Sequence, residues 1–243
     1  MHLPAPSSAL SPAEETLMRG HPWFAACAPQ LQEQLLRAGR RVSLGAGQAL
    51  FERGDRPEGL CCVLSGALQV GAAQADGRPS LLAWLEPGQW FGEISLLDGR
   101  PRTHDAVAEG ASQVWLVPHT GLQAWLDQHP ACWRDLAVLA CTKLRLSFEV
   151  LEDIARLPLP QRLAKRLLLL DQGYGQRAPG GTPRPLRLPQ EQLALMLGVS
   201  RQSVSKALQA LAAQGLLALG YGEIELLDRA ALQVLGEAAG EGT

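Results

Sequence analysis

From Ala131 to Leu157 the sequence contains neither glycine nor proline, in a chain of 243 residues that carries 25 Gly and 17 Pro. A stretch of that length without a breaker reads as one helix, about 40 Å long at ~1.5 Å per residue. Along it Trp133, Ala137, Ala140, Leu144, Ser147, Leu151 and Ile154 recur at alternating steps of four and three, the spacing of a coiled-coil seam. Two arrangements satisfy such a helix. It pairs with its twin in a homodimer, or it packs as an ordinary amphipathic helix on its own domain. Alanine and serine in the seam permit close approach and favour the dimer. Pro158 and Pro160 end the helix and mark a hinge at residues 156–160.

The two flanks of this helix differ in texture. Residues 42–118 are short apolar runs punctuated by glycine, with Leu60–Leu64, Ala67–Val70, Leu81–Leu85 and Gln113–Val117 of strand size. Turn residues at ~8–12 residue spacing predict an antiparallel β-roll of the double-stranded β-helix or jelly-roll kind. Asp76-Gly77 is a hairpin signal within it. Beyond the hinge, Gln161–Asp171 reads as a helix and Gly173–Pro185 as a Gly/Pro/Arg-rich loop. Pro189–Leu197 then opens a helix, Gly198-Val199-Ser200 is a tight turn, and Ser200 caps a second helix, Arg201–Gln214, closed by Gly215. Leu216–Leu219 and Glu223–Leu227 flank Gly220-Tyr221-Gly222 as a hairpin, completing a winged helix-turn-helix. The expected fold is therefore α+β: a flexible lead over 1–20, a β-roll over 21–130, a dimerisation helix over 131–157 and a winged helix-turn-helix over 158–243.

The net charge of −2 hides a split. Residues 1–155 hold 12 Lys/Arg against 17 Asp/Glu, and residues 156–243 hold 10 against 7, so the C-terminal part is net +3 and suits a polyanion. At 47% hydrophobic residues the chain has the apolar material for a core. An odd count of five cysteines with no CxxC, no signal-peptide core and no apolar run of ~18 residues predicts a reduced, cytoplasmic protein that does not span a membrane. Cys61 and Cys62 are adjacent in a strand and point to opposite faces, one expected in the core and one exposed. With no P-loop, HExxH, GxSxG or paired carboxylates, enzyme, metal site and covalent cofactor are not expected.

Two segments resemble the CRP/FNR family of bacterial transcription regulators. Pro87-Gly88-Gln89-Trp90-Phe91-Gly92-Glu93-Ile94, followed by Arg100-Pro101-Arg102-Thr103, is similar to the phosphate-binding cassette of cyclic-nucleotide-binding domains. Leu197-Gly198-Val199-Ser200-Arg201-Gln202-Ser203-Val204-Ser205-Lys206 resembles that family's recognition helix. The resemblance covers residues ~21–235 in the family's order of roll, long helix, hinge and winged helix. It implies an effector site at Gly92, Glu93, Ile94, Arg102, Thr103 and, on the long helix, Ser147. There Arg102 forks onto phosphate oxygens, Thr103 and backbone N–H groups add donors, Glu93 accepts from a ribose hydroxyl, and Gly92 lets the backbone approach. The rival reading of Glu93 and Arg102 is a salt bridge inside an empty roll. Cyclic AMP is the first candidate effector. The cyclic-AMP-binding members usually have alanine where His104 stands, before Asp105, and a small polar residue where Phe148 stands, which leaves another nucleotide or a non-nucleotide effector open.

In the second motif, Arg201, Gln202, Ser205 and Lys206 lie on the face opposite Val204, Leu208 and Leu211. Arg and Lys suit guanine O6/N7 and Gln suits adenine N6/N7. By resemblance Arg201, Gln202 and Lys206 read bases, while Gln190, Ser200 and Ser203 are assigned to phosphates. The expected partners are a two-fold-symmetric duplex DNA operator, a second copy of the chain and RNA polymerase. Rival functions are a cyclic-nucleotide-binding adaptor that regulates a partner protein, and a regulator with haem held by His21, His104, His119 or His129.

Overall fold

The computed structural model describes residues 9–73, 79–174 and 185–237. Three short helices open it: α1 (Pro12–Arg19), α2 (Pro22–Ala26) and α3 (Pro29–Arg37), each with proline in its first turn. The predicted flexible lead is thus corrected over residues 12–19. Ser11 and Glu14 form a capping box, and Met18 is fully buried in the core. That S-x-x-E signal was present in the sequence.

Eight strands follow: β1 (Arg40–Leu44), β2 (Ala49–Phe51), β3 (Gly59–Ser65), β4 (Leu68–Ala73), β5 (Pro79–Leu85), β6 (Trp90–Phe91), then, after helix α4 (Glu93–Asp98), β7 (Asp105–Ala108) and β8 (Ser112–Pro118). They form two four-stranded sheets, ordered β1-β8-β3-β6 and β2-β7-β4-β5. The pairings β1–β8, β2–β7, β3–β8, β3–β6 and β4–β7 are all antiparallel. The Asp76-Gly77 hairpin signal lies outside the described residues, as does residues 175–184 of the predicted loop.

Helix α5 (His119–Gln128) and a short 3-10 turn, Pro130–Cys132, lead into α6 (Trp133–Arg156). Strand β3 is the hub of the first sheet and is buried on both faces. Cys61, Val63, Val114 and Leu116 pack toward Leu44, Leu68, Phe91 and Ala106. Leu60, Cys62, Trp115 and Val117 face Phe24, Leu31, Leu35, Leu122, Leu126 and Leu136 of the helices. Both vicinal thiols are therefore buried, correcting the expectation that one is exposed, because helices cover the face that a two-sheet roll alone would leave wet.

Helix α7 (Leu159–Asp171) starts two residues earlier than its sequence pattern suggests, with Pro160 in its first turn. Then come α8 (Gln190–Leu197), α9 (Arg201–Ala213), the hairpin β9 (Leu217–Leu219) with β10 (Ile224–Leu226), and α10 (Arg229–Glu237). Leu219 pairs with Ile224 and Leu217 with Leu226, and Leu186 bridges Ile224 on the other side. Leu163, Leu167, Leu193, Leu197, Val204, Leu208, Leu211 and Leu232 are buried here. The described residues divide into two compact units, 9–72 with 83–143, and 144–174 with 185–237, residues 73 and 79–82 falling with the second.

Candidate effector site and nucleic-acid interface

The cassette is built around one buried arginine. Arg102 is 4% exposed. Its Nη2 donates to Gly59 O at 2.7 Å and its Nη1 to Gly92 O at 3.0 Å. The guanidinium lies 4.2 Å above the centroid of the Phe51 ring, a cation–π contact. Burial pulls its pKa below the ordinary value, opposed by the surrounding acids and Cys61. Its Nε has no partner among the described residues. Gly92 makes this seat available. Its φ is +91°, and a Cβ there would stand 2.8 Å from Arg102 Nη1 and 3.0 Å from Gly59 O.

Glu93, the next residue, is 2% exposed and opens α4. It does not pair with Arg102. Its Oε2 accepts from Lys143 Nζ of α6 at 2.7 Å, and the same ammonium donates to Trp90 O at 2.9 Å. The rival reading, an internal bridge between Glu93 and Arg102, is replaced by two separate engagements, backbone carbonyls for the arginine and a lysine for the glutamate. Lys143, Phe51 and Gly59 were missed at the level of sequence. They are distant in the chain, and no spacing rule joins a strand end, a cassette and a helix midpoint.

The other assigned residues are dispersed. Thr103 is exposed, with its Oγ1 3.0 Å from His104 Nδ1. Burial first, then Arg53, holds the His104 pKa below its ordinary value, against Asp105. Ile94 is 47% exposed. Ser147 is exposed on the part of α6 that belongs to the second unit. His21 Nδ1 accepts from Phe24 N, and His129 stacks on Trp125. Among the described residues no cluster of His, Cys, Asp or Glu is placed to hold a metal ion, and no helix is long and apolar enough to cross a membrane.

In the second unit the turn between α8 and α9 is set by Gly198 at φ +66°, and Ser200 caps α9, its Oγ accepting from Ser203 N at 3.1 Å. The two hydroxyl oxygens lie 2.9 Å apart, so Ser200 and Ser203 are first of all each other's capping partners. Val204, Leu208 and Leu211 are buried, which turns Arg201, Gln202 and Lys206 outward. No hydrogen bond or ion pair engages these three among the described residues. Ser205 and Gln190 are half-buried. At the tip of the β9–β10 hairpin Tyr221 is wholly exposed, a feature that turn chemistry alone does not single out.

Residues 41–129 match the family description "Cyclic nucleotide-binding domain" and residues 161–235 match "Crp-like helix-turn-helix domain". The chain is 30% identical over 196 residues to a CRP-like cAMP-activated global transcriptional regulator of Mycobacterium tuberculosis, covering 81% of this chain and 88% of that one. It is 32% identical over 218 residues to the cyclic AMP receptor protein of Thermus thermophilus, covering 89% and 97%. In fold it is similar to FixK2 from Bradyrhizobium japonicum, with a TM-score of 0.72 at 25% identity over 83% of this chain and 98% of that one. With both domains matched in order and two relatives covered nearly end to end, the chain belongs to the CRP/FNR family of DNA-binding transcription regulators, as one that carries a cyclic-nucleotide-binding domain ahead of its helix-turn-helix.

Proposed function

We propose that the chain works as a homodimer whose roll takes a small effector and whose two winged helices then read a two-fold-symmetric operator. The observation that carries the DNA part is the outward face of α9, where Arg201, Gln202 and Lys206 are exposed and unengaged among the described residues while the opposite face is anchored by Val204, Leu208 and Leu211. Free donors at the start of a capped helix suit base edges in a major groove. Wholly exposed Tyr221 at the wing tip supports a second contact to the duplex backbone. The dimer is supported by α6, where Val138, Leu144, Phe148, Leu151 and Ile154 are each about half exposed in the single chain, an apolar stripe that water disfavours.

Two relatives carry cyclic AMP in their names, and the cassette residues support the same effector here. Binding then takes Arg102 off Gly92 O or uses its spare Nε, and brings a ribose hydroxyl to the Glu93–Lys143 pair. Ligand shifts a pre-existing equilibrium of the dimer toward the state with recognition helices ~34 Å apart. RNA polymerase is the partner that such a regulator engages from DNA. A second reading is favoured by the engagement of both charged groups within the fold: the roll works without a nucleotide. Calorimetry with cyclic AMP, cyclic GMP and cyclic di-GMP decides, combined with selection from a random duplex library. Heat with one nucleotide and an enriched palindrome support the first reading. A palindrome without nucleotide heat moves the protein to the second, and no duplex binding under any effector moves it to a protein-binding adaptor.

A further inference from the structure

The second unit contains a cavity of about 260 Å³ that nothing in the cassette or the DNA-reading face uses. Its wall is formed by the last turns of α6, one face of α7, the end of α8 and the end of α10. Arg166, on α7, lines it at 8% exposure, and neither a hydrogen bond nor an ion pair engages it among the described residues. One turn earlier, Arg162 gives its Nη1 to Leu197 O at 3.3 Å, but its buried Nε has no partner among the described residues. The third cation of this face, Lys165, is already held by Asp153. A guanidinium at a cavity wall, unpaired among the described residues and beside a second arginine whose Nε is buried and unpartnered among them, is ready to take an anion, and its planar fork matches a carboxylate.

The rest of the wall sets the shape of that anion. Leu146, Val150, Leu169 and Met196 supply aliphatic surface. Glu149 and Glu237 are exposed at the lining and repel a polyanion. We propose that this cavity is a binding site for a small aliphatic organic acid, its carboxylate on Arg166 and Arg162 Nε, its chain against Leu146, Val150, Leu169 and Met196. A cavity of this size admits an acid of roughly ten heavy atoms. Because the wall combines α6 and α7, which meet at Leu157-Pro158, occupancy ties these helices across their junction and gives the regulator an input separate from the roll.

The test uses the full chain, with 4-methylpentanoate and 4-methyl-2-oxopentanoate as probes and 4-methylpentanamide and inorganic phosphate as contrasts. Calorimetry should show saturable binding of the acids by the wild type, no binding of the amide, and no displacement by excess cyclic AMP. Arg166→Gln should weaken the acids at least tenfold, and Val150→Trp, which fills the cavity, should abolish them, with thermal melts showing that both variants are folded. Should a variant fail to fold, the acid-against-amide contrast on the wild type still decides. No saturable binding of either acid, equal binding of the amide, binding of phosphate alone, displacement by cyclic AMP, or acid binding unchanged in both folded variants would overturn the proposal.

Discussion

Arg102 and Glu14 illustrate how a charged side chain can serve the fold before it serves a ligand. Arg102 satisfies the carbonyls of Gly59 and Gly92 and lies on Phe51. Arg102→Ala leaves both carbonyls without that donor in a buried seat and is expected to cost about 3–5 kcal/mol of stability without any effector present. A denaturant melt of the apo protein checks this. An arginine that only waits for a ligand would leave that melt unchanged. Glu14 reports on pH. A side-chain hydrogen bond from Arg41, against the penalty of burial, holds its carboxyl at about 2 rather than the ordinary 4.5. The folded pKa lies below the unfolded one, so the stabilising contribution is present above pH ~4.5 and fades as pH falls toward 2. Glu14→Gln should therefore melt below the wild type at pH 7, and the difference should vanish near pH 2. A gap of constant size across that range would refute the linkage.

At the scale of elements, α6 was the easiest part of the chain to read and its faces were the hardest. The absence of breakers places the helix within a residue or two of its observed bounds, Trp133–Arg156. Leu144, Leu151 and Ile154 of the predicted seam are exposed, but Trp133, Ala137 and Ala140 are half-buried, and the apolar stripe also includes Val138, Cys141 and Phe148. The N-terminal half turns Leu136 and Leu139 into the helical layer over the roll, and only packing decides which neighbouring positions remain outside. If the stripe joins two chains, Leu144→Glu with Leu151→Glu should place carboxylates against their twins and shift sedimentation from dimer to monomer. Exposed Cys141 gives an independent check, since mild oxidation of the folded wild type should yield a covalent dimer on a non-reducing gel that Cys141→Ser abolishes. The buried thiols should not compete: burial pushes Cys27 and Cys61 up to about 12 and Cys62 well above its ordinary value.

For the whole molecule, the proposed function predicts how affinity and specificity separate. Arg201→Ala should lose ~1–3 kcal/mol of discrimination at one base position of each half-site, with dimer and roll intact. Gln190→Ala should weaken all duplexes more evenly. Ser203→Ala keeps its backbone N–H on Ser200, so its effect should be smaller than a lost phosphate contact alone suggests. Selection from random duplexes, repeated across salt concentrations, measures both terms, and affinity should fall by ~0.9 log units per released counterion per log unit of salt. Retention of full discrimination by Arg201→Ala would remove that side chain from the base-reading set.

What the amino-acid order determined by itself is everything that local rules decide: the breaker-free helix, the glycine-punctuated strands, the cap at Ser200, the turn at Gly198 and the apolar face beneath Arg201 and Lys206. These rest on interactions within a few residues, which propensity and periodicity report directly. The partners of the charged cassette residues were settled only in three dimensions. Gly59, Phe51, Trp90 and Lys143 come from separate elements, and burial makes each polar group take whatever acceptor or donor the packing brings within about 3 Å. The same holds for Cys62, hidden because helices cover the outer face of its sheet, and for Arg166, whose seat in a cavity depends on four helices that no sequence spacing relates.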